Sequence, residues 1–103
     1  MLAHNVFFTL KEQTDEARAK LVSECKTYLT GHPGLVFFAC GTLAQGFDRP
    51  VNVRDFDVAL HLAFDSIASH DAYQDAPRHH TFVERNRDGW GLVRVFDSVV
   101  EGA

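Results

Sequence analysis

Asp55-Phe56-Asp57-Val58-Ala59-Leu60-His61-Leu62-Ala63-Phe64 is the stretch whose reading decides the fold. Its even positions are Phe, Val, Leu, Leu and Phe, and its odd positions are Asp, Asp, Ala, His and Ala. Strict alternation of an apolar with a small or polar face predicts a β-strand with one side against a core. Working outward, Asp65-Ser66 supplies a helix N-cap, and Ile67–Gln74 reads as a short helix carrying Tyr73 near its end. Pro77 breaks that helix and opens a second one, where its missing N–H costs nothing. The second helix places His79, Phe82 and Val83 on one face by i, i+3, i+4 spacing. A tyrosine and a histidine therefore flank a proline break, both turned toward the apolar side of the strand. That pair is the first place to look for chemistry.

Toward the N-terminus, Leu2–Leu10 reads as a strand, with Leu2, His4, Val6, Phe8 and Leu10 on one face. Thr14 caps a helix expected over Asp15–Thr30, and Ala17, Leu21, Val22, Cys25, Tyr28 and Leu29 form its apolar stripe. Glu16, Lys20 and Glu24 make a charge ladder on the other side. Gly31 and Pro33 stop this helix. Leu35–Leu43 is a strand apolar on both faces, expected to be covered on both sides. A polar loop, Gln45–Arg54, leads to Asp55; its Arg49 and Arg54 are expected to be solvated or to pair with Asp55 or Asp57. After Asp88-Gly89, a last strand runs from Trp90 to Val100. The order β-α-β-β-α-β, with the second helix split, predicts an α+β, ferredoxin-like fold: one four-stranded antiparallel sheet with helices on one face. The other face would expose Ala3, Phe7, Phe37 or Phe38, Ala59, Val93, Val95 and Val99, with His61 among them. An apolar sheet face of that size marks an interface, and two such sheets face to face give a closed homodimer.

Composition narrows the possible functions. At 103 residues the chain is expected to be a single domain, residues 1–103. Its net charge of −4 and scattered arginines provide no basic stripe to track phosphates, which argues against nucleic acid as a partner. No apolar run approaches the ~20 residues that span a bilayer, and the first residues lack a leader pattern, so no membrane partner is expected. Cys25 and Cys40 have no motif spacing and read as reduced thiols, pointing to the cytoplasm.

The ordered set Ala3-His4, His32-Pro33, Phe64-Asp65-Ser66, Tyr73, Pro77, His79, Phe82 and Val95-Phe96-Asp97 resembles the Dabb family, the stress-responsive A/B-barrel domains. The resemblance runs nearly end to end and implies a dimeric α+β barrel with a small cavity between each subunit's helices and sheet. The family includes a plant polyketide cyclase that closes a ring by aldol-type chemistry with a histidine and a tyrosine, and Tyr73 and His79 match that pair. The chain departs from the cyclase at Val58, where the cyclase has a further pocket histidine, and at Cys25, where it has a tyrosine. The same substrate is therefore not implied.

If the protein is an enzyme, His79 is the expected general base and Tyr73 its orienting partner or oxyanion donor. The expected cavity is mostly apolar, lined by Val6, Leu21, Val58, Leu60, Phe82 and Trp90, with His4 and Cys25 in reach. The competing reading makes His79 a core histidine bonded to a backbone carbonyl or to Tyr73. His32, His70 and His80 read as solvated. No histidine pair stands at i, i+4, so metal ligation has little support, and no cofactor motif is present. Three functions stay open: a small-molecule-binding protein with His/Tyr acid–base activity on a carbonyl compound, a non-catalytic stress-related structural dimer, and a cofactor-free monooxygenase.

Overall fold

The computed structural model describes all residues, Met1–Ala103. Seven main elements follow in order: β1 (Leu2–Leu10), α1 (Asp15–Tyr28), β2 (Leu35–Thr42), β3 (Val58–Phe64), α2 (Ile67–Asp75), α3 (Pro77–Asn86) and β4 (Trp90–Val99). A single 3-10 turn, Arg87–Gly89, joins α3 to β4. The sheet order is β2-β3-β1-β4 and every neighbouring pair is antiparallel. This is the ferredoxin-like α+β arrangement expected from the element order. No helix is long and apolar enough to cross a membrane.

Local chemistry places the elements. Thr14 and Ser66 cap α1 and α2, each accepting a backbone N–H with its hydroxyl, from Ala17 and Ser69. Between α2 and α3, Ala76 is extended (φ −65°, ψ 139°) and Pro77 starts the next helix, so the break falls where proline dictates. The core is one cluster that joins β1 and β3 to the helices: Val6, Phe8, Leu21, Leu29, Val58, Leu60, Phe64 and Phe82 are among its buried members.

Several expectations need correction. Helix α1 ends at Tyr28 rather than Thr30, and Gly31 takes its left-handed φ of 73° two residues beyond the Leu29 cap. Strand β3 begins at Val58 rather than Asp55. Asp57, just before it, is buried where it accepts hydrogen bonds from Leu10 N (2.7 Å), Arg18 Nε (2.9 Å) and Gln13 Nε2 (3.2 Å). Burial opposes its charge, but those donors outweigh it and hold the carboxyl below its ordinary range. Neither Arg49 nor Arg54 pairs with Asp55 or Asp57: Arg94 takes Asp55 at 2.6 Å, Arg49 binds Asn52, and Arg54 donates to the Gln45 and Phe47 carbonyls. Glu24 is not on a solvated ladder; it is buried, accepting from Arg85 Nε (2.7 Å) and Asn86 Nδ2 (3.2 Å), which ties α1 to α3.

Strand β2 is an outer strand, not one covered on both sides. Val36 and Phe37 are 57% and 56% exposed, because the chain places nothing over the open face and a register shift between Leu35 and Phe37 turns Val36 outward. The open face also differs in composition. The ladder pairs Val6 with Val95 and Phe8 with Val93, so Val93, Val95 and Val99 lie on the helix side, where the outer strand escapes cover. Leu92, Arg94, Phe96 and Ser98 join Ala3, Asn5, Phe7 and Thr9 on the open face, with Ala59, His61 and Phe37. The Phe7 and Phe96 rings meet there at 5.7 Å. Alternation separates the two sets of β4 residues; only the register, shifted near Gly91, says which set faces the helices.

Candidate functional site

The split helix positions the site. Ser66 fixes the start of α2, and three-residue spacing then puts His70 and Tyr73 on one face. Arg78, second in α3, donates to the carbonyls of Thr30 and Thr27, both at 2.7 Å. Those are carbonyls left open at the end of α1, so the guanidinium clamps one helix end to the other's beginning. His79 follows directly, and its ring lies 4.7 Å from that of Tyr73.

Tyr73 is 2% exposed and sits inside a ring of aromatic groups. His32 approaches at 4.9 Å, Phe64 at 5.0 Å and His4 at 6.1 Å. His32 is buried and donates from Nε2 to Tyr28 O at 2.8 Å, so it is structural rather than solvated. His70 is largely covered as well, lying 5.6 Å from Phe64 and 4.9 Å from His4. Of the three histidines read as solvated, His80 alone is exposed. His61 is on the open face as expected, donating to Asn5 Oδ1 at 2.8 Å.

The electrostatics favour neutral groups. Burial, with smaller contributions from His80, His4 and His32, pushes His79 down to about 4. Burial raises the Tyr73 phenol well above its ordinary value, and Cys25 adds to this. His79 Nδ1 is buried and has no hydrogen-bond partner. A core histidine satisfied at both nitrogens would have one; the Gln74 backbone supports this ring only weakly and is the smallest influence on its pKa, opposing the burial. His4 donates from Nδ1 to Asp97 Oδ1 at 2.5 Å; burial lowers its basicity and Asp97 only partly restores it. Asp97 reaches the site because β4 pairs with β1 so that it stands opposite His4. Sequence reasoning did not find His70 or Asp97 as site residues. The signal for Asp97 was a strand pairing whose register the sequence leaves open.

The expected lining residues separate. Val6, Cys25, Val58, Leu60 and Phe82 are packed side by side in the core, each no more than 5% exposed, and His4 is buried beside Tyr73. Cys25 is a free thiol pushed up to about 12 by burial. Leu21 and Trp90 instead line a cavity of about 500 Å³ at the far end of the helices, together with Lys20, Arg85 and Asn86. Trp90 packs against Phe8 (5.1 Å) and Phe82 (5.8 Å), and its buried Nε1 has no partner. None of the three principal cavities is lined by Tyr73 or His79.

Comparison with known proteins agrees with this architecture. A Dabb family protein with a ferredoxin-like fold from Mesorhizobium loti superposes with a TM-score of 0.80 at 22% identity, covering 98% of this chain and 97% of that one. A dimeric ferredoxin-like protein of unknown function from Thermobifida fusca gives 0.77 at 17% identity, covering 96% and 90%. The hydroxynitrile lyase of Passiflora edulis gives 0.76 at 17% identity, covering 99% and 94%. At these identities the likeness concerns the fold. No curated protein sequence matches the chain. The sequence pattern of Dabb, the stress responsive A/B barrel domain, matches residues 2–100, and the chain therefore belongs to the Dabb family.

Proposed function

We propose that this Dabb protein is a cytoplasmic homodimer that binds a small carbonyl compound and acts on it by proton transfer, with His79 as base and Tyr73 as its partner. One observation carries the reading: His79 Nδ1 is buried without a hydrogen-bond partner in good geometry, on a ring that packs beside Tyr73 and that the Gln74 backbone supports only weakly. A buried polar atom without a partner costs about 1–3 kcal/mol, and a substrate proton or carbonyl would relieve that cost. His79 is neutral at pH 7, the form a base needs, and the neutral Tyr73 phenol is a donor for a developing oxyanion. Dimerisation is supported by the exposed Phe37, Leu92 and Phe96 on the open sheet face; a second sheet over them would also cover β2 on both sides. Two free thiols support a reducing compartment.

The test is a panel of ketones, aldehydes and cyanohydrins, the last chosen because the Passiflora edulis neighbour is a hydroxynitrile lyase. Proton exchange next to the carbonyl in heavy water, followed by NMR, reads the base directly. His79→Ala should lower the rate at least 100-fold, the scale of general base catalysis. An unchanged rate would remove His79 from the mechanism. A second reading, a non-catalytic structural dimer, draws support from the close packing of Val6, Val58, Leu60 and Phe82 under Tyr73. A panel in which nothing binds would favour it.

A further inference from the structure

The residues beside Tyr73 include a group that the proposed proton transfer does not use. His4 from β1, His70 from α2 and Asp97 from β4 each offer one ligand atom, and these atoms all lie within 4.8 Å of one another. From this convergence we propose that His4, His70 and Asp97 form a binding site for a divalent first-row transition cation.

Three features carry the proposal. The donor set is two imidazoles and one carboxylate, a combination that holds divalent transition metals while leaving coordination positions open. Three elements distant in sequence deliver it, so it is not a by-product of one helix face. The two imidazole rings are tilted 55° to each other at 4.9 Å rather than stacked, and a hydrogen bond of 2.5 Å already joins His4 Nδ1 to Asp97 Oδ1. A cation would take the place of the proton in that bond.

The geometry requires only small adjustment. Bond lengths of about 2.0–2.2 Å to zinc put tetrahedral ligands roughly 3.3 Å apart. The His4–Asp97 pair must open slightly and the other separations close by no more than about 1.5 Å; rotation of the half-exposed Asp97 supplies its part, and the His4–His70 separation closes by rotation of the His70 ring. His70 donates from Nδ1 to Asp71 Oδ1 at 3.2 Å, and a carboxylate on the far nitrogen is the usual support for a ligating histidine; Nε2 accepts a long hydrogen bond from Gln74 Nε2 at 3.4 Å, which the ion would displace. The side chain of Asp97 is 44% exposed while that of His4 is 6% exposed, so the ion enters past Asp97 and finds its deepest ligand behind it.

The experiment uses untagged, full-length protein freed of metal by chelator. Cobalt(II) should give visible d–d absorption saturating at one ion per chain, and zinc(II) should displace it. Asp97→Asn keeps an acceptor for His4 but removes the charged ligand, and it should weaken zinc at least tenfold. His70→Ala should do the same, with circular dichroism unchanged in both. Because variants at a packed site can misfold, the parent protein supplies an independent readout. In imidazole NMR, zinc should move the ring signals of His4 and His70 and leave His61 and His80 in place. Absence of cobalt absorption at millimolar metal would overturn the proposal. So would tight binding indifferent to both substitutions, or zinc shifts centred on His79 and His80. None of these readouts depends on catalytic activity, so the metal site and the role of His79 fail separately.

Discussion

At the scale of single residues, His79 is defined by what burial does to its charge. Its pKa near 4, against an ordinary 6.5, means the folded chain refuses a proton that the unfolded chain accepts. Stability therefore falls as pH is lowered from about 6.5 toward about 4, and is independent of this group at higher pH. Melting temperatures between pH 7 and pH 4.5 should decline less for His79→Gln than for the parent. His4, also lowered, accounts for part of the remaining slope. Parallel declines would mean that His79 is not held neutral. The same shift sets activity: kcat/KM on any substrate found should be flat from pH 6 to 8, with its acid limb at about 4 rather than near 6.5.

At the scale of elements, the site depends on where α2 begins. Gly34, just before β2, has φ +80° and passes so close to α2 that an added Cβ would lie 2.1 Å from Ser69 Oγ and 2.4 Å from Ser69 Cβ. Its carbonyl also accepts the Asp65 N–H at 2.9 Å, joining the turn to the end of β3. Gly34→Ala combines a left-handed backbone, about 1–2 kcal/mol, with overpacking of about 1–3 kcal/mol. Urea unfolding should show a loss of about 2–5 kcal/mol, and displacement of α2 should loosen Tyr73 and His70 together. A loss below about 0.5 kcal/mol would show that the turn adapts without moving α2.

At the scale of the whole molecule, the open sheet face decides the assembly. Phe37 and Phe96 are each 56% exposed and Leu92 is 49% exposed, and fully burying a side chain of this kind is worth about 1.5–3 kcal/mol. Sedimentation at micromolar concentration should give twice the chain mass for the parent. Phe96→Asp should shift it toward one chain mass with helix content retained. Val95 is not the residue to probe this face, since it stands opposite Val6 on the helix side. A parent that sediments as a single chain would leave this face to some other partner.

The sequence alone determined the element order, the caps at Thr14 and Ser66, the helix break at Pro77 and the Tyr73–His79 pair around it. Each depends on neighbours within a few residues, where periodicity, capping and proline sterics act directly. Tertiary structure decided everything that depends on register and on which end of a long side chain finds a partner. The pairing of β1 with β4 put Asp97 opposite His4 and turned Val95 away from the open face, and no local pattern encodes that offset. Glu24 and Asp57 looked like surface charges, yet both are buried because Arg85 and Arg18 reach them from distant positions. A charge stays in a core only where such donors meet it, and the meeting is made by the folded chain as a whole.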